Sequence, residues 1–174
     1  MSAMLNLLLI FAILLYGFAI SSEAYADDHI TIEKMLILDE DLSKTPYRDI
    51  DGSTVIGVGR NLSSVGISKE EAIMLLRNDI ARVEKELTND KVVGAIYQSL
   101  DENRKLAIKN MCFNLGITKL RGFDKMWKAL AGKDYNKAAI EAKNSKWYKD
   151  VSTRGLRIIH IIQFGNLNSY KVAR

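Results

Sequence analysis

Three regimes of hydrophobic and polar spacing succeed one another along the chain. The first is an unbroken apolar run, LLLIFAILLYGFAI, from Leu7 to Ile20. The second begins at Ile32, where Ile32, Met35, Leu36 and Leu38 recur at helical spacing up to the acidic triplet Asp39-Glu40-Asp41. That spacing predicts a short amphipathic helix over Ile32 to Leu42. Pro46 has no N–H to give and restricts the residue before it, so no helix continues past it. From Tyr47 to Leu62 the period shortens. Asp51-Gly52 is a turn pair, and Thr54-Val55-Ile56-Gly57-Val58-Gly59 sets β-branched residues among small ones. This predicts an antiparallel hairpin or a three-stranded sheet.

The third regime is helical. Ser68-Lys69-Glu70-Glu71 has the form of a capping box, followed by Ile73, Leu76, Ile80, Val83 and Leu87 at helical spacing. Ser99-Leu100-Asp101-Glu102 has the same form and predicts a helix running to about Leu115, with Gly116 as its C-cap. The stretch Leu106 to Phe113 is apolar nearly all round, the mark of a central helix enclosed by others. Further helices are predicted over Asp124 to Ala131, Tyr135 to Lys143 and Thr153 to Phe164. The outline is mainly α with one small sheet near its start.

The opening run is followed by Ser21-Ser22-Glu23 and a small-x-small site, Ala24-Tyr25-Ala26, before Asp27-Asp28. Residues 1–26 therefore read as a secretory signal peptide cleaved after Ala26. The segment before the run carries no Lys or Arg, which leaves an uncleaved signal-anchor, a membrane tether through residues 4–20, as the competing reading. Either implies export to the periplasm or cell wall, and residues 27–174 form one domain of ordinary length.

Composition narrows the chemistry. One proline and eleven glycines among 174 residues exclude collagen-like and disordered chains. A single cysteine, Cys112, excludes an internal disulfide framework and any cysteine-rich metal centre. His29 and His160 lie too far apart in sequence to form a ligand pair. Carboxylates, hydroxyls and bases remain. Charge is unevenly placed: residues 119–174 hold 13 Lys and Arg against 4 Asp and Glu, whereas residues 27–118 hold 12 against 16. A basic last third suits an anionic partner, and a lysine-rich solvated surface is its bland alternative. Export counts against nucleic acid as that partner.

The sharpest chemical feature is Glu40 at a helix end with Asp49 nine positions later on a hairpin. Glycosidic cleavage needs a carboxylic acid to protonate the departing oxygen and a carboxylate to handle water or the cationic centre. On spacing alone, an acidic helix end facing water and a turn aspartate are the better explanation of the pair.

The neighbouring residues carry more. Leu38-Asp39-Glu40-Asp41-Leu42, Pro46-Tyr47-Arg48-Asp49, Asp51-Gly52 and Ile56-Gly57-Val58-Gly59 together resemble the active-site signature of the T-even-type phage lysozymes, family 24 glycoside hydrolases. Ser99-Leu100-Asp101, Asn110-Met111-Cys112-Phe113-Asn114-Leu115-Gly116, Gly122-Phe123 and Ser145-Lys146-Trp147-Tyr148 resemble the same family's C-terminal lobe, in the same order. The resemblance runs from about Ile32 to Tyr170. It implies an α+β, mainly α, lysozyme-like fold: a small N-terminal lobe with the sheet, a long connecting helix, a helical C-terminal lobe, and a peptidoglycan cleft between the lobes.

By that resemblance Glu40 is the general acid and Asp49 the carboxylate that orients the attacking water, as in an inverting glycosidase. Arg154 matches an arginine that fixes the glutamate, its alternative being a surface arginine of the basic lobe. Phe113 matches a residue contacting the sugar, or fills the core. Asn114 stands where relatives often carry glutamine; it bonds substrate, or else caps or is solvated. Trp147 and Tyr148 read as core anchors. Two positions depart from the pattern. The family's threonine six residues after the aspartate is Val55 here, with Thr54 one place early, and alternation along a strand keeps neighbours on opposite faces. A local bulge rotates Thr54 into a supporting place; without one the water loses a partner. Arg60 replaces a histidine common in the family.

The implied activity is an exported muramidase acting on the peptidoglycan glycan strand, a monomer that needs no metal or organic cofactor because side-chain acid–base chemistry and water suffice. The rival is a peptidoglycan-binding protein of the same fold with weakened hydrolysis, for which Val55 is the argument.

Overall fold

The computed structural model describes residues 30–151 and 153–171. The leader reading for residues 1–26, with its tether through residues 4–20, lies outside them. The chain divides into two compact units, residues 1–67 and 68–174.

In the first unit, helix α1 (Ile32–Glu40) starts where the Thr31 hydroxyl accepts the Lys34 N–H, an N-cap the apolar spacing does not reveal. It stops at Asp41, whose φ of 58° breaks the helical path. The strands β1 (Ser43–Arg48), β2 (Thr54–Gly57) and β3 (Arg60–Asn61) form an antiparallel sheet in the order β1-β2-β3, as the turn pair and β-branched run predict. The strand begins earlier than the sequence suggests, and Pro46 lies within β1 instead of before it. The reason is in the register. Ser43 pairs with Gly57 but Tyr47 with Val55, so β1 carries two extra residues in an irregular stretch that contains Pro46. A residue without an N–H is tolerated where the ladder is already interrupted. Gly57 and Gly59, at φ of 70° and 65°, turn the chain from β2 into β3. Val55 is the buried hydrophobic residue of this unit among those described; α1 buries no side chain.

The second unit is helical: α2 (Lys69–Asn89), α3 (Gly94–Gln98), α4 (Glu102–Leu115), α5 (Ile117–Arg121), α6 (Asp124–Ala131), α7 (Tyr135–Lys143), α8 (Lys146–Val151), α9 (Thr153–Phe164) and α10 (Asn168–Lys171). The predicted capping box at Ser68 is complete: its Oγ accepts the Glu71 N–H, and the Glu71 carboxylate accepts the Ser68 N–H. At the second predicted box the division of labour differs. Asp101 caps α4 by accepting the Arg104 N–H, while the Ser99 Oγ donates to the Ile96 carbonyl and closes α3. A five-residue helix ending there takes Ser99 before α4 can use it.

The core of this unit lies between α4, α7 and α9, with α2 and α6 packed against it. Ile108 and Met111 of α4, Ala138 and Ala142 of α7, and Ile158 and Ile162 of α9 meet there; α4 is central but not enclosed all round as its composition suggests, because Leu106 and Phe113 lie on a face left exposed. Arg104 ties these elements together. Its Nε donates to the Ile162 carbonyl, its Nη2 to the Gln163 carbonyl, and its guanidinium lies 3.5 Å over the Tyr135 ring. Carbonyls at a helix C-terminus lack intrahelical partners, and a cation there satisfies them. Glu84 of α2 accepts the Tyr97 hydroxyl at 2.6 Å and pairs with Lys109 at 3.1 Å, joining α2, α3 and α4.

Candidate active site

Glu40 is the last residue of α1. Its side chain turns onto Gly59 at the β2–β3 turn. There Oε2 lies 3.1 Å, Cδ 3.5 Å and Cγ 3.6 Å from where a β-carbon on Gly59 would stand. The end of the Glu40 side chain thus rests on backbone that carries no side chain of its own.

Asp49 is the first residue past β1, and hydrogen bonds shape the loop that follows. The Asp49 N–H donates to the Ser53 carbonyl at 3.0 Å and the Gly52 N–H to the Asp49 carbonyl at 2.9 Å. Asp51 accepts both the backbone N–H and the hydroxyl of Ser53. Arg48 Nη1 donates to the Gly52 carbonyl at 2.9 Å. Those donors from Ser53 hold the Asp51 carboxyl below its ordinary range. The Asp49 carboxylate takes the Ile50 N–H on Oδ1 at 2.7 Å; among the described residues Oδ2 accepts nothing and faces solvent. Ile50 beside it is fully exposed.

Thr54 opens β2. Its N–H donates to the Ser63 hydroxyl, and its carbonyl accepts the Leu62 N–H. Pairing is regular on both sides of it, Arg48 with Thr54 and Tyr47 with Val55 on one edge, Val55 with Asn61 on the other. The irregularity of this sheet falls on β1 and not at Thr54. Val55, 3% exposed, points inward, and Thr54 keeps the opposite face. Arg60 donates from Nε to the Gly66 carbonyl at 2.8 Å.

The remaining predicted residues belong to the helical unit. Phe113 of α4, 44% exposed, and Arg154 of α9 line one hollow of about 350 Å³ with Leu76, Ile80, Val83, Leu106, Lys109 and Asn110. Phe113 is therefore no core filler. Asn110 holds Arg154 twice: the Arg154 Nε donates to Asn110 Oδ1 at 2.8 Å and its Nη2 to the Asn110 carbonyl at 3.3 Å. Asn114 does not join them. It lines a separate hollow of about 890 Å³, and its Oδ1 accepts the Trp147 indole N–H at 2.9 Å. Trp147 is buried, and Tyr148 packs against the core beneath Gly155, as expected of anchors.

Sequence reasoning passes over two contacts, that of Gly59 with Glu40 in the first unit and that of Asn110 with Arg154 in the second. The signal for Asn110 was a polar amide inside an apolar run; for Gly59 it was the Gly-x-Gly spacing, which marks backbone needing positive φ. Among the described residues no three His, Cys, Asp or Glu side chains gather to hold a metal ion.

The sequence model of the family described as phage lysozyme matches residues 39–158, a span that takes in Glu40, Asp49, Thr54, Phe113, Asn114 and Arg154. The chain is 30% identical over 168 residues to a protein named probable T4-type lysozyme 2 of Dictyostelium discoideum, covering 81% of this chain and 98% of that one. It is 30% identical over 167 residues to probable T4-type lysozyme 1 of the same organism, again covering 98% of it. It is 29% identical over 178 residues to the pre-baseplate central spike protein Gp5 of Enterobacteria phage T4, but spans only 31% of that longer protein. On a match that covers more than half its length and two full-length relatives, the chain belongs to the phage lysozyme family.

Proposed function

We propose that this protein is an exported endolysin that hydrolyses the β-1,4 bond between N-acetylmuramic acid and N-acetylglucosamine in peptidoglycan and so lyses bacterial cells. The observation that carries the reading is the placement of two carboxylates on fixed backbone, at the end of α1 and just past β1, inside the span matched to the family. An inverting pair needs roughly 6.5–9.5 Å between its carboxyls to seat a water. The bond broken is between the muramic C1 and the bridging oxygen. Glu40 gives that oxygen its proton as it leaves. Water forms the new bond to C1 from the opposite face and yields a proton to Asp49. Phe113 offers an apolar face to a sugar, and Arg154 a cation held at a set angle by Asn110.

Export rests on the first 26 residues, cleaved after Ala26 or retained as a tether through residues 4–20. The anionic wall polymer is the partner suited to a basic last third, and the enzyme acts as a monomer. Glu40→Gln keeps shape and removes the transferable proton. Clearing of outer-membrane-permeabilised cells is expected to fall by about 10²–10⁴-fold in that variant, with muramic acid at the reducing ends of fragments released by the wild type. Retained clearing in Glu40→Gln overturns the reading. Wall binding without any clearing by the wild type supports instead a binding protein with weakened hydrolysis, the alternative that Val55 favours. N-terminal sequencing of the secreted form is expected to begin at Asp27; an intact leader on active protein establishes the tether.

A further inference from the structure

We infer that Gly59 is the positioning residue for the acid: its missing side chain is the seat on which the Glu40 carboxyl rests, an inference that depends on Glu40 being the proton donor. Glu40 sits where a helix ends, and its side chain is exposed. A long carboxyl-bearing side chain at such a place has rotamers to spare and, among the described residues, no hydrogen bond to select among them. What selects is contact. Oε2, Cδ and Cγ all lie along the face of Gly59 that any L-residue would fill, with Oε2 at 3.1 Å from the β-carbon position. A real β-carbon forces the carboxyl to give way by a few tenths of an ångström and takes away the contact that selects its rotamer, and a freed carboxyl leaves the tolerance of about 0.5 Å within which a proton donor meets its acceptor.

Gly57 provides the internal control. It too has positive φ, 70° against 65°, and a β-carbon added there meets nothing within 4 Å. Alanine at either position carries the strain of positive φ, but only at 59 does it also reach the Glu40 carboxyl. Cleavage of solubilised peptidoglycan strands by the full chain separates the two effects. Gly59→Ala is expected to lower kcat at least tenfold below Gly57→Ala, with KM changed less than twofold in both. Gly59→Asn extends the test with less strain, since asparagine tolerates positive φ while still carrying the β-carbon; the same loss in kcat is expected, with a native circular dichroism spectrum. Equal kcat in Gly59→Ala and Gly57→Ala, or folded Gly59→Asn at wild-type kcat, overturns the inference. Glu40→Gln run beside them keeps the two questions apart. If it stays active, the acid assignment has failed. If it is inactive while the glycine variants match one another, only the seat has.

Discussion

Arg154 illustrates how a residue's use depends on what grips it. With Nε and Nη2 both committed to Asn110, Nη1 is, among the described residues, the corner left to meet an anion. Lysine cannot reproduce that grip, because one ammonium does not span a side-chain oxygen and a carbonyl in the fixed fork geometry of a guanidinium. Arg154→Lys is therefore predicted to lose about tenfold in kcat/KM, measured on solubilised peptidoglycan. An unchanged value places Arg154 outside the chemistry. Thr54 is the opposite case. Regular pairing through Val55 keeps its hydroxyl on the face away from the inward valine, so Thr54→Ala is predicted to change kcat less than threefold, whereas losing a donor to the reacting water costs on the order of a hundredfold.

Among the elements, α2 depends most visibly on its first turn. Ser68 and Glu71 satisfy two N–H groups that no helical carbonyl can reach. Removing the hydroxyl in Ser68→Ala is predicted to cost about 1 kcal/mol, read as a fall in melting temperature of roughly 2–4 °C. The sheet behaves differently. Its three short strands bury Val55 and no other described hydrophobic side chain, and a small sheet with so little burial opens readily. Amide hydrogens of β1, β2 and β3 should exchange well before those of α4 and α9, whose side chains form the helical core; equal protection counts against this division of stability.

Across the whole molecule, acid is the predicted weakness. Burial raises Glu84, yet the Tyr97 hydroxyl and Lys109 outweigh it and hold its carboxyl below the usual value of 4.5. Burial likewise raises Asp101, and Arg104's hydrogen bonds more than offset it, leaving it below 3.8. A carboxyl depressed on folding contributes stability above its unfolded value and loses it as pH falls through the folded one. Unfolding free energy should therefore be level from neutrality to about pH 5 and decline below it. Glu84→Gln and Asp101→Asn should each flatten that decline, and an unchanged slope refutes the assignment. Cys112 carries the complementary signal. Burial pushes its thiol up to about 11, so a thiol reagent at pH 8 is expected to leave it unmodified in the folded chain and to label it promptly in urea.

Local chemistry in the chain determined the elements. Ser68 with Glu71, the helical spacing over 124–131, 135–143 and 153–164, and the Asp51-Gly52 turn acted through neighbours within four residues, so each was readable as written. Where two elements competed for one residue, reading by neighbours failed: Ser99 closes α3 although its spacing to Glu102 suits a box, and Pro46 enters β1 because the ladder is irregular there. The family signature marked Glu40, Asp49, Phe113 and Arg154 but not what holds them. Asn110 lies 44 positions from Arg154, and Gly59 lies on a turn two strands beyond Glu40. Such partners meet only when separate elements pack, because a side chain's orientation is set by the groups it touches in space and those are not its neighbours in the chain.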